Sequence, residues 1–467
     1  MSKDRNLKNG KRQKKQLVLP LYEDHVKSEA LKHPRQGVEP LLAETVTENS
    51  AKLDHLMEEV CNPTNLKEAL HQVKSKKGSP GVDGMTVGQM IPYLLEHWEE
   101  IRTQLLSGTY VPQPVRRVWI PKHDGSKRKL GIPTVIDRFI QQAILHVLTR
   151  YYDPTFSESS FGFRPGRSCH DAIRQSQDYI NEGYTTVIDM DIEKFFDQVN
   201  HDKLMGLIAR RIGDTRLLRL IRRYLQAGIM EGGLASPTIE GTPQGGPLSP
   251  LLSNIVLDEL DRELEKRGHK FVRYADDCNI HVKSARAGIR VMAKVEKFVN
   301  KKLLLRLNSS KSMVSSPEKR QFLGFSFYRN RGGEWKIKLS DKTTKRFKKR
   351  IRELTRRGRR TFLHVVATLS EYIRGWRGYY GIVETQWTLR DYDSWIRRRL
   401  RSLIWKQWKG KRRYKELRKR GCSVNMAWNV ANGSIGSWQA SGKCAMTRAF
   451  PNRFFNDKGL AALTSYK

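Results

Sequence analysis

Two adjacent carboxylates, Asp276 and Asp277, stand where the residue types of this chain most directly suggest chemistry. They interrupt a β-branched and aromatic run from Phe271 to Val282, which predicts a hairpin with both acids at its tip. Adjacent acids repel one another unless a cation lies between them. The pair alone is also compatible with a solvated turn, so a functional interpretation needs a partner elsewhere in the chain.

A second acidic strand upstream can be that partner. In the stretch from Thr185 to Asp197, period-2 alternation predicts one face with Val187, Asp189, Asp191 and Glu193, and a buried face with Ile188, Met190 and Ile192. An acidic strand beside an acid-tipped hairpin can hold two divalent ions roughly 4 Å apart, which would activate a 3′-hydroxyl and stabilise the leaving pyrophosphate. The alternation does not choose between Asp189 and Asp191.

These two stretches resemble the palm of a reverse transcriptase. The resemblance is carried by Asp-Ile-x-x-Phe-Phe-Asp, beginning at Asp191, and by Tyr-Ala-Asp-Asp, ending at Asp277. It implies that Asp191, Asp276 and Asp277 are catalytic and bind two Mg²⁺ ions. Further motifs from about Leu66 onward narrow the family to the reverse transcriptase/maturase proteins of bacterial group II introns. The implied fold is α+β: a right-hand polymerase with antiparallel sheet in fingers and palm, followed by an α-helical thumb, or maturase domain X.

Nucleotide-binding residues are expected in the fingers and beside the palm acids. A cation-rich hairpin around an Asp-Gly turn suits fingers that must balance the charge of a triphosphate. By the resemblance, Lys122 and Arg128 bind the dNTP triphosphate, and Arg116 is a third candidate. Phe196 matches the position that excludes a ribose 2′-hydroxyl by bulk, with core packing as the alternative. Gln244, in Gly-Thr-Pro-Gln-Gly-Gly, is expected to contact the nucleotide or a template base edge.

Template and primer contacts are expected from loops rich in glycine and proline. The resemblance assigns Gly81, Arg164 and Arg167 to the template, with a plain connector and a packed turn as the respective alternatives. It also implies that the turn containing Gly324 holds the primer end against the metals.

The C-terminal third combines an apolar stripe with many cations. Trp395 to Trp408 has helical spacing that is most simply core, and Arg397, Arg399 and Lys409 are expected to bind RNA. These helices resemble the thumb and domain X. Histidine is absent after His364, so a His-Cys or His-Asn-His nuclease is not expected in the last hundred residues, as in the short class of these proteins.

Composition points to a polyanionic partner. The 467 residues include 87 Lys+Arg and 48 Asp+Glu, which gives a net charge of +39 and a pI near 10.1. Nucleic acid is the leading partner and an anionic membrane surface the alternative, although no run of about 18 apolar residues is present. The N-terminus is polar and lacks an apolar signal core. The five cysteines show no C-x-x-C spacing and fit reduced thiols. We expect a protein of the bacterial cytoplasm, associated with RNA or the nucleoid.

The expected organisation is a disordered basic arm (1–50), an N-terminal extension with fingers (51–180), a palm (181–335) and a thumb with domain X (336–467). The expected function is RNA-templated DNA synthesis during intron retrohoming, together with splicing assistance. Its partners would be group II intron RNA, an RNA template, a DNA primer or target, and dNTPs. No membrane partner is expected, and the sequence does not determine the oligomeric state. The alternatives are an RNA-binding splicing cofactor with a dormant polymerase, a retron or CRISPR-associated reverse transcriptase, and a nucleotide cyclase. The cyclase would not need the basic thumb.

Overall fold

The computed structural model describes residues 52–121, 125, 127–231, 234–236, 241, 245–356, 358 and 361–464. The expected basic arm, and the two nucleotide-site residues Lys122 and Gln244, lie outside these described residues.

The N-terminal part packs helices around a cationic hairpin. Its elements are α1 (Leu56–Val60), α2 (Pro63–Ser75), α3 (Met90–Ser107), β1 (Val115–Pro121), β2 (Lys127–Ile132) and α4 (Val135–Tyr152). Asn62 caps α2, because its side chain accepts from the Thr64 amide and Pro63 occupies the first helical position. Asn65, inside the helix, donates to the carbonyls of Val60 and Ala143, which ties α2 to α4.

The middle part contains the sheet that bears the acids. Its helices are α5 (Cys169–Asn181), α6 (Phe195–Gln198), α7 (His201–Ala209), α8 (Thr215–Gln226), α9 (Ser249–Lys266) and α10 (Ala285–Phe298), which continues into a π-helical turn (Val299–Leu303). Its strands are β3 (Thr186–Asp191), β4 (Ile229–Glu231), β5 (Leu234–Ser236), β6 (Lys270–Tyr274), β7 (Asp277–Val282), β8 (Met313–Ser315), β9 (Phe325–Arg329) and β10 (Trp335–Leu339).

The strands of the described residues form three sheets, with strand orders β2-β1-β4-β5, β6-β7-β3-β8 and β10-β9. The β6-β7-β3-β8 sheet is antiparallel and is the palm sheet. Its inner face contributes Ile188, Met190, Cys278 and Ile280 to the first hydrophobic core, as the alternation in β3 predicts.

The C-terminal part is helical. Its elements are α11 (Asp341–Leu354), α12 (Phe362–Tyr380), α13 (Gln386–Gln407), α14 (Lys411–Lys419), α15 (Val424–Ala431), α16 (Ser437–Ser441), α17 (Cys444–Ala449) and α18 (Asn452–Asp457). These helices share a second core with β9, β10 and α5. The β9–β10 hairpin therefore joins the two parts across the expected boundary at residue 335. No helix in the described part of the chain combines the length and apolar character that a membrane crossing requires.

Candidate active site

The three expected catalytic acids meet at one end of the palm sheet. β6 and β7 pair antiparallel with Tyr274 opposite Asp277, so Ala275 and Asp276 form a two-residue turn. Ala275 has a φ of 58°, the left-handed conformation that such tight turns use. Asp277 is also directly opposite Asp191 of β3, which brings the acidic strand and the acid-tipped hairpin together.

A buried ion pair stabilises this turn. Arg273 of β6 is 0% exposed, and its guanidinium lies 2.5 Å from the carboxylate of Asp261 on α9. The same guanidinium donates to the Asn254 side chain at 2.9 Å and to the Ala275 carbonyl at 3.0 Å. The Asn254 amide in turn donates to the Gly162 carbonyl at 2.9 Å. A charged network therefore anchors the left-handed turn that carries Asp276.

Gly162 is required for this close packing. A Cβ at that position would lie 2.3 Å from the Ala275 amide nitrogen, so a side chain would displace the turn.

The carboxylates perturb one another. Burial and the neighbouring Asp189, Asp276 and Asp191 raise the pKa of Asp277 to about 8. Burial also raises the pKa of Asp276; Asp191 adds to this rise, and Arg128 and Lys311 oppose it. The ion pairs formed within the described residues include Asp189 and Asp191 but neither Asp276 nor Asp277. The two carboxyl groups at the hairpin tip thus lie close to other acids and form no ion pair within the described residues.

The structure separates Asp189 from Asp191, which the strand alternation could not. Asp189 lies 3.1 Å from the Arg320 guanidinium, and both side chains are less than one fifth exposed. Asp191 lies 3.0 Å from the ammonium of Lys311, whose side chain is 65% exposed. Asp189 therefore has a constrained structural partner, whereas the partner of Asp191 is an exposed and flexible lysine.

An open cleft surrounds the acids. Asp189, Asp191, Asp276 and Asp277 form its acidic floor. Its wall is formed by residues between 310 and 342 and is mostly cationic, with Lys311, Lys319, Arg320, Lys338 and Lys342 against the acids Glu318 and Asp341. An acidic floor can take divalent cations while the wall attracts a phosphate backbone, so the cleft suits a nucleic-acid substrate.

The donor set fits Mg²⁺, although the carboxylates are not gathered around a common point. Within the described residues, no group of three His, Cys, Asp or Glu side chains is arranged to hold a metal ion. Asp191 is ion-paired with Lys311, while burial, with repulsion from neighbouring acids added to it, raises the pKa values of Asp276 and Asp277. Hard carboxylate oxygens that repel one another are suitable ligands for a hard divalent cation, which would relieve the repulsion.

The expected nucleotide residues that are described lie in suitable places. Arg128 is exposed on β2 and close enough to lower the pKa of Asp276, so the finger hairpin faces the acids. Arg116 is partly buried on β1, and its Nε has no hydrogen-bond partner among the described residues. Phe196 is half-buried, whereas the adjacent Phe195 is 2% exposed and belongs to the core. Phe196 can therefore contribute to a pocket.

The expected template residues are mostly occupied by packing. Gly81 is buried, and a Cβ there would lie 2.6 Å from the Thr134 Cα. Arg164 is 8% exposed and donates to the Asp153 carboxylate and to the carbonyls of Ser157 and Ser160. These contacts favour a structural role for Arg164 over the expected contact with the template.

Other residues of the same loop remain accessible. Arg167 is partly exposed and ion-paired with the exposed Glu158. Phe163 is 55% exposed with a φ of 59°, and its ring centroid lies 6.4 Å from that of Tyr274. An exposed aromatic ring in a strained conformation beside the catalytic turn is a candidate base or sugar contact that the sequence interpretation did not select.

The primer-side turn is held by the C-terminal helices. Gly324 has a φ of 87°, and a Cβ there would lie 2.9 Å from the Tyr380 hydroxyl of α12. Thr343 of α11 donates to the Gly324 carbonyl at 2.8 Å, and Tyr379 donates to the Leu323 carbonyl at 2.9 Å. The position of this turn therefore depends on the helical part.

Two of the three expected RNA-binding cations of the helical part pack against protein. Arg397 is 9% exposed, and this interior position on α13 favours packing over the expected RNA contact. Arg399 is partly buried, donates to the Thr355 hydroxyl at 2.7 Å and lies over the Trp395 ring. Lys409 is exposed and remains available.

Two family models match the chain in succession. Residues 120–327 match the reverse transcriptase (RNA-dependent DNA polymerase) family, which covers the palm sheet and its acids. Residues 344–421 match the group II intron maturase-specific domain. The chain belongs to the group II intron reverse transcriptase/maturase family. The mixed α+β fold expected for such a protein is confirmed.

Individual relatives match this chain over part of their length. Protein YkfC of Escherichia coli is 40% identical over 227 residues, which are 47% of this chain and 60% of YkfC. The group II intron-encoded protein LtrA of Lactococcus lactis subsp. cremoris is 33% identical over 317 residues, or 54% of this chain and 52% of LtrA. An uncharacterized 91 kDa protein in the cob intron of Schizosaccharomyces pombe is 38% identical over 191 residues, which are 41% of this chain and 22% of that protein. The matched part of the chain thus spans less than two thirds of each relative.

Proposed function

We propose that this reverse transcriptase/maturase copies RNA into DNA during intron retrohoming and binds group II intron RNA to assist its splicing. The observation that carries the polymerase proposal is the opposition of Asp191 and Asp277, with Asp276 in the adjoining turn, on the floor of a cleft with a cationic wall. The match to the maturase-specific domain favours this function over a retron or CRISPR-associated reverse transcriptase.

Asp191, Asp276 and Asp277 would hold two Mg²⁺ ions. When bound, such ions activate the primer 3′-hydroxyl and stabilise negative charge on the leaving pyrophosphate. Asp191 must exchange its ion pair with Lys311 for a metal contact, which the exposure of Lys311 permits. Arg273 keeps the turn in place, so Asp276 is preorganised before substrate enters.

The fingers and loops would bind the substrates around these acids. Arg128 and Lys122, with Arg116, would balance the dNTP triphosphate, and Phe196 would exclude a ribose 2′-hydroxyl. Gln244 would contact the nucleotide or a template base edge. Arg167 would contact the template, and the turn at Gly324 would support the primer end.

The expected division into extension with fingers, palm, and thumb with domain X is retained as part of this proposal, with the β9–β10 hairpin as the joint. Intron RNA would bind exposed cations of the helical part such as Lys409. Neither proposed activity calls for a membrane, and both place the protein with RNA or the nucleoid of a bacterial cell.

Primer extension on an RNA template with Asp276→Ala protein tests the polymerase proposal. We expect cDNA synthesis to vanish, because one of the metal-holding carboxylates is removed. RNA affinity should stay within about twofold, because phosphate contacts to Lys and Arg supply most of it. Residual synthesis near the wild-type rate would refute the assignment of this site.

A further inference from the structure

The palm carries a cationic groove at the end remote from the catalytic acids. The groove lies between α10 with its π-helical turn and the open end of the β6–β7 hairpin, where Lys270 and Lys283 stand. Lys283 directly follows β7 and is six residues from Asp277, roughly 20 Å at about 3.3 Å per residue. A ligand in this groove is therefore spatially separate from the reacting atoms.

The cations of α10 form a stripe on one face. Arg290, Lys294, Lys297 and Lys301 follow one another at steps of four, three and four residues, and all four are exposed. The stripe is roughly 16 Å long at about 1.5 Å rise per residue. None of the four forms an ion pair within the described residues. The one carboxylate among the described residues lining the groove belongs to Glu263, which is paired with Arg267.

This arrangement opposes helix stability. Like charges three and four residues apart repel one another, and acids at alternate positions would have stabilised the helix instead. The stripe also runs into a π-helical turn, Val299–Leu303, a rare geometry that is frequent at functional sites. Repulsion of this kind is relieved when a polyanion binds along the stripe.

The opposite face of α10 is committed to the fold. A Cβ at Gly288 would lie 2.5 Å from Val314 and 3.5 Å from Thr186 and Val282, which point away from the acid-bearing face of the palm sheet. Val295 and Val299 of the same helix segment are buried in the first core. Helices that bind a membrane surface insert their apolar face into the lipid. The apolar face of α10 is packed inside the protein and is not available for this.

We propose that this groove is a second nucleic-acid site, which takes the phosphate backbone of a base-paired RNA stem while the catalytic cleft holds template and primer. Its lysines are point charges suited to phosphates rather than bases. The Tyr184 ring in the groove makes a cation–π contact with the ammonium of Lys283 at 5.4 Å, which a stacking base would have to displace. Backbone recognition of a helical stem is therefore favoured over single-strand binding.

The choice of RNA as the ligand of this groove rests on the proposed function. The experiment is therefore designed so that failure of the groove proposal and failure of the polymerase proposal give different results. The groove variant is Arg290→Gln/Lys294→Gln/Lys297→Gln. The matched control is Arg219→Gln/Lys67→Gln/Lys74→Gln, which removes the same residue types from exposed positions on other helices. The probe is a fluorescein-labelled RNA hairpin, titrated by anisotropy over a range of KCl concentrations with the cleft saturated by an unlabelled primer–template duplex.

We expect the groove variant to flatten the slope of log affinity against log salt by roughly 2 to 3 units, at about 0.9 for each phosphate that is no longer neutralised, and the control by less than about 1. Primer extension on a short duplex should stay within about twofold of wild type for both variants. Equal slopes for groove variant and control would overturn the proposal. Loss of binding to phosphatidylserine vesicles without loss of RNA binding would also overturn it. If wild-type protein extends no primer while the slopes differ as expected, the polymerase proposal fails and the groove stands.

Discussion

The carboxylates at the palm tip and the arginines of the C-terminal helices are balanced in opposite ways. Asp276 and Asp277 form no ion pair within the described residues, and the pKa of Asp277 is raised to about 8. In the helices, Arg398 stacks over the Trp438 ring at 4.2 Å and the buried Arg401 donates to the Phe450 carbonyl at 3.0 Å. Acids that repel one another therefore indicate where a cation belongs, whereas charged side chains held by aromatic rings and backbone carbonyls indicate packing, whatever the residue type suggests.

The largest effect should come from breaking compensated charge beneath the catalytic turn. Arg273→Met leaves Asp261 buried and unpaired, which should destabilise folding by about 3–5 kcal/mol. The double variant Arg273→Met/Asp261→Leu should recover most of that stability. It should still extend primers at least tenfold more slowly than wild type, because the Ala275 carbonyl no longer has its donor.

Urea unfolding and primer extension on both variants check this prediction. Arg210→Met, which breaks an ion pair with Glu259 whose arginine is 62% exposed, is the control and should change stability by less than about 1 kcal/mol. Full activity in the stable double variant would show that the Arg273 network has no part in positioning Asp276.

A smaller effect is expected from the cations of the C-terminal helices. Whether RNA affinity or thermal stability falls should depend on whether the substituted side chain is exposed or packed against protein. Lys345→Gln/Lys349→Gln/Lys409→Gln removes exposed charges and should weaken RNA binding about tenfold with an unchanged melting temperature. Arg397→Gln/Arg399→Gln should instead lower the melting temperature, because both side chains pack inside the protein. RNA anisotropy and thermal denaturation measured side by side decide this; a reversed pattern would contradict the comparison.

The pH dependence of stability should report the uncompensated acids. Since the folded pKa of Asp277 is about 8 and its ordinary value is 3.8, the metal-free folded protein retains a proton that the unfolded chain releases. Its contribution to stability is therefore complete below about pH 4 and is lost as the pH rises through about 8. In EDTA, Asp277→Asn should reduce the decline in unfolding free energy between these limits. Identical pH profiles for variant and wild type would speak against the mutual repulsion.

The smallest effect on folding is expected at Phe196. Because its ring is only half-buried, Phe196→Ala should destabilise the protein less than the roughly 3–5 kcal/mol typical of a buried Phe. Incorporation of ribonucleotides relative to deoxyribonucleotides should rise at least tenfold, as measured by competitive primer extension. Phe195→Ala, at the adjacent buried position, is the control and should show the converse: a large stability loss without altered sugar selectivity.

The acidic hairpin was predictable because its pattern is local. Alternation of apolar and polar residues specifies the faces of β3, and the two acids mark the β6–β7 turn. The register that sets Asp191 against Asp277 joins residues far apart in sequence, and local patterns do not specify it. For the same reason the choice between Asp189 and Asp191 needed the positions of Arg320 and Lys311.

Arginine was the residue whose role the sequence predicted least well. Arg164 looks like a loop cation, yet its guanidinium satisfies carbonyls and a carboxylate inside the same loop. Arg273 looks like an exposed strand residue, and its partners Asn254 and Asp261 lie on the preceding helix. Asn254 and Asp261 are seven residues apart, which places both on one face of α9, and this spacing was the available signal.

We assign Asp191, and not Asp189 on the same strand face, to the catalytic cluster. The most direct test of this assignment is primer extension on an RNA template by Asp191→Asn and Asp189→Asn proteins, with melting temperatures recorded for both. Removing the carboxylate that opposes Asp277 should abolish synthesis without lowering the melting temperature. Asp189→Asn should retain synthesis, with some loss of stability from its broken pair with Arg320. Active Asp191→Asn protein, or well-folded Asp189→Asn protein that cannot extend a primer, would contradict the account.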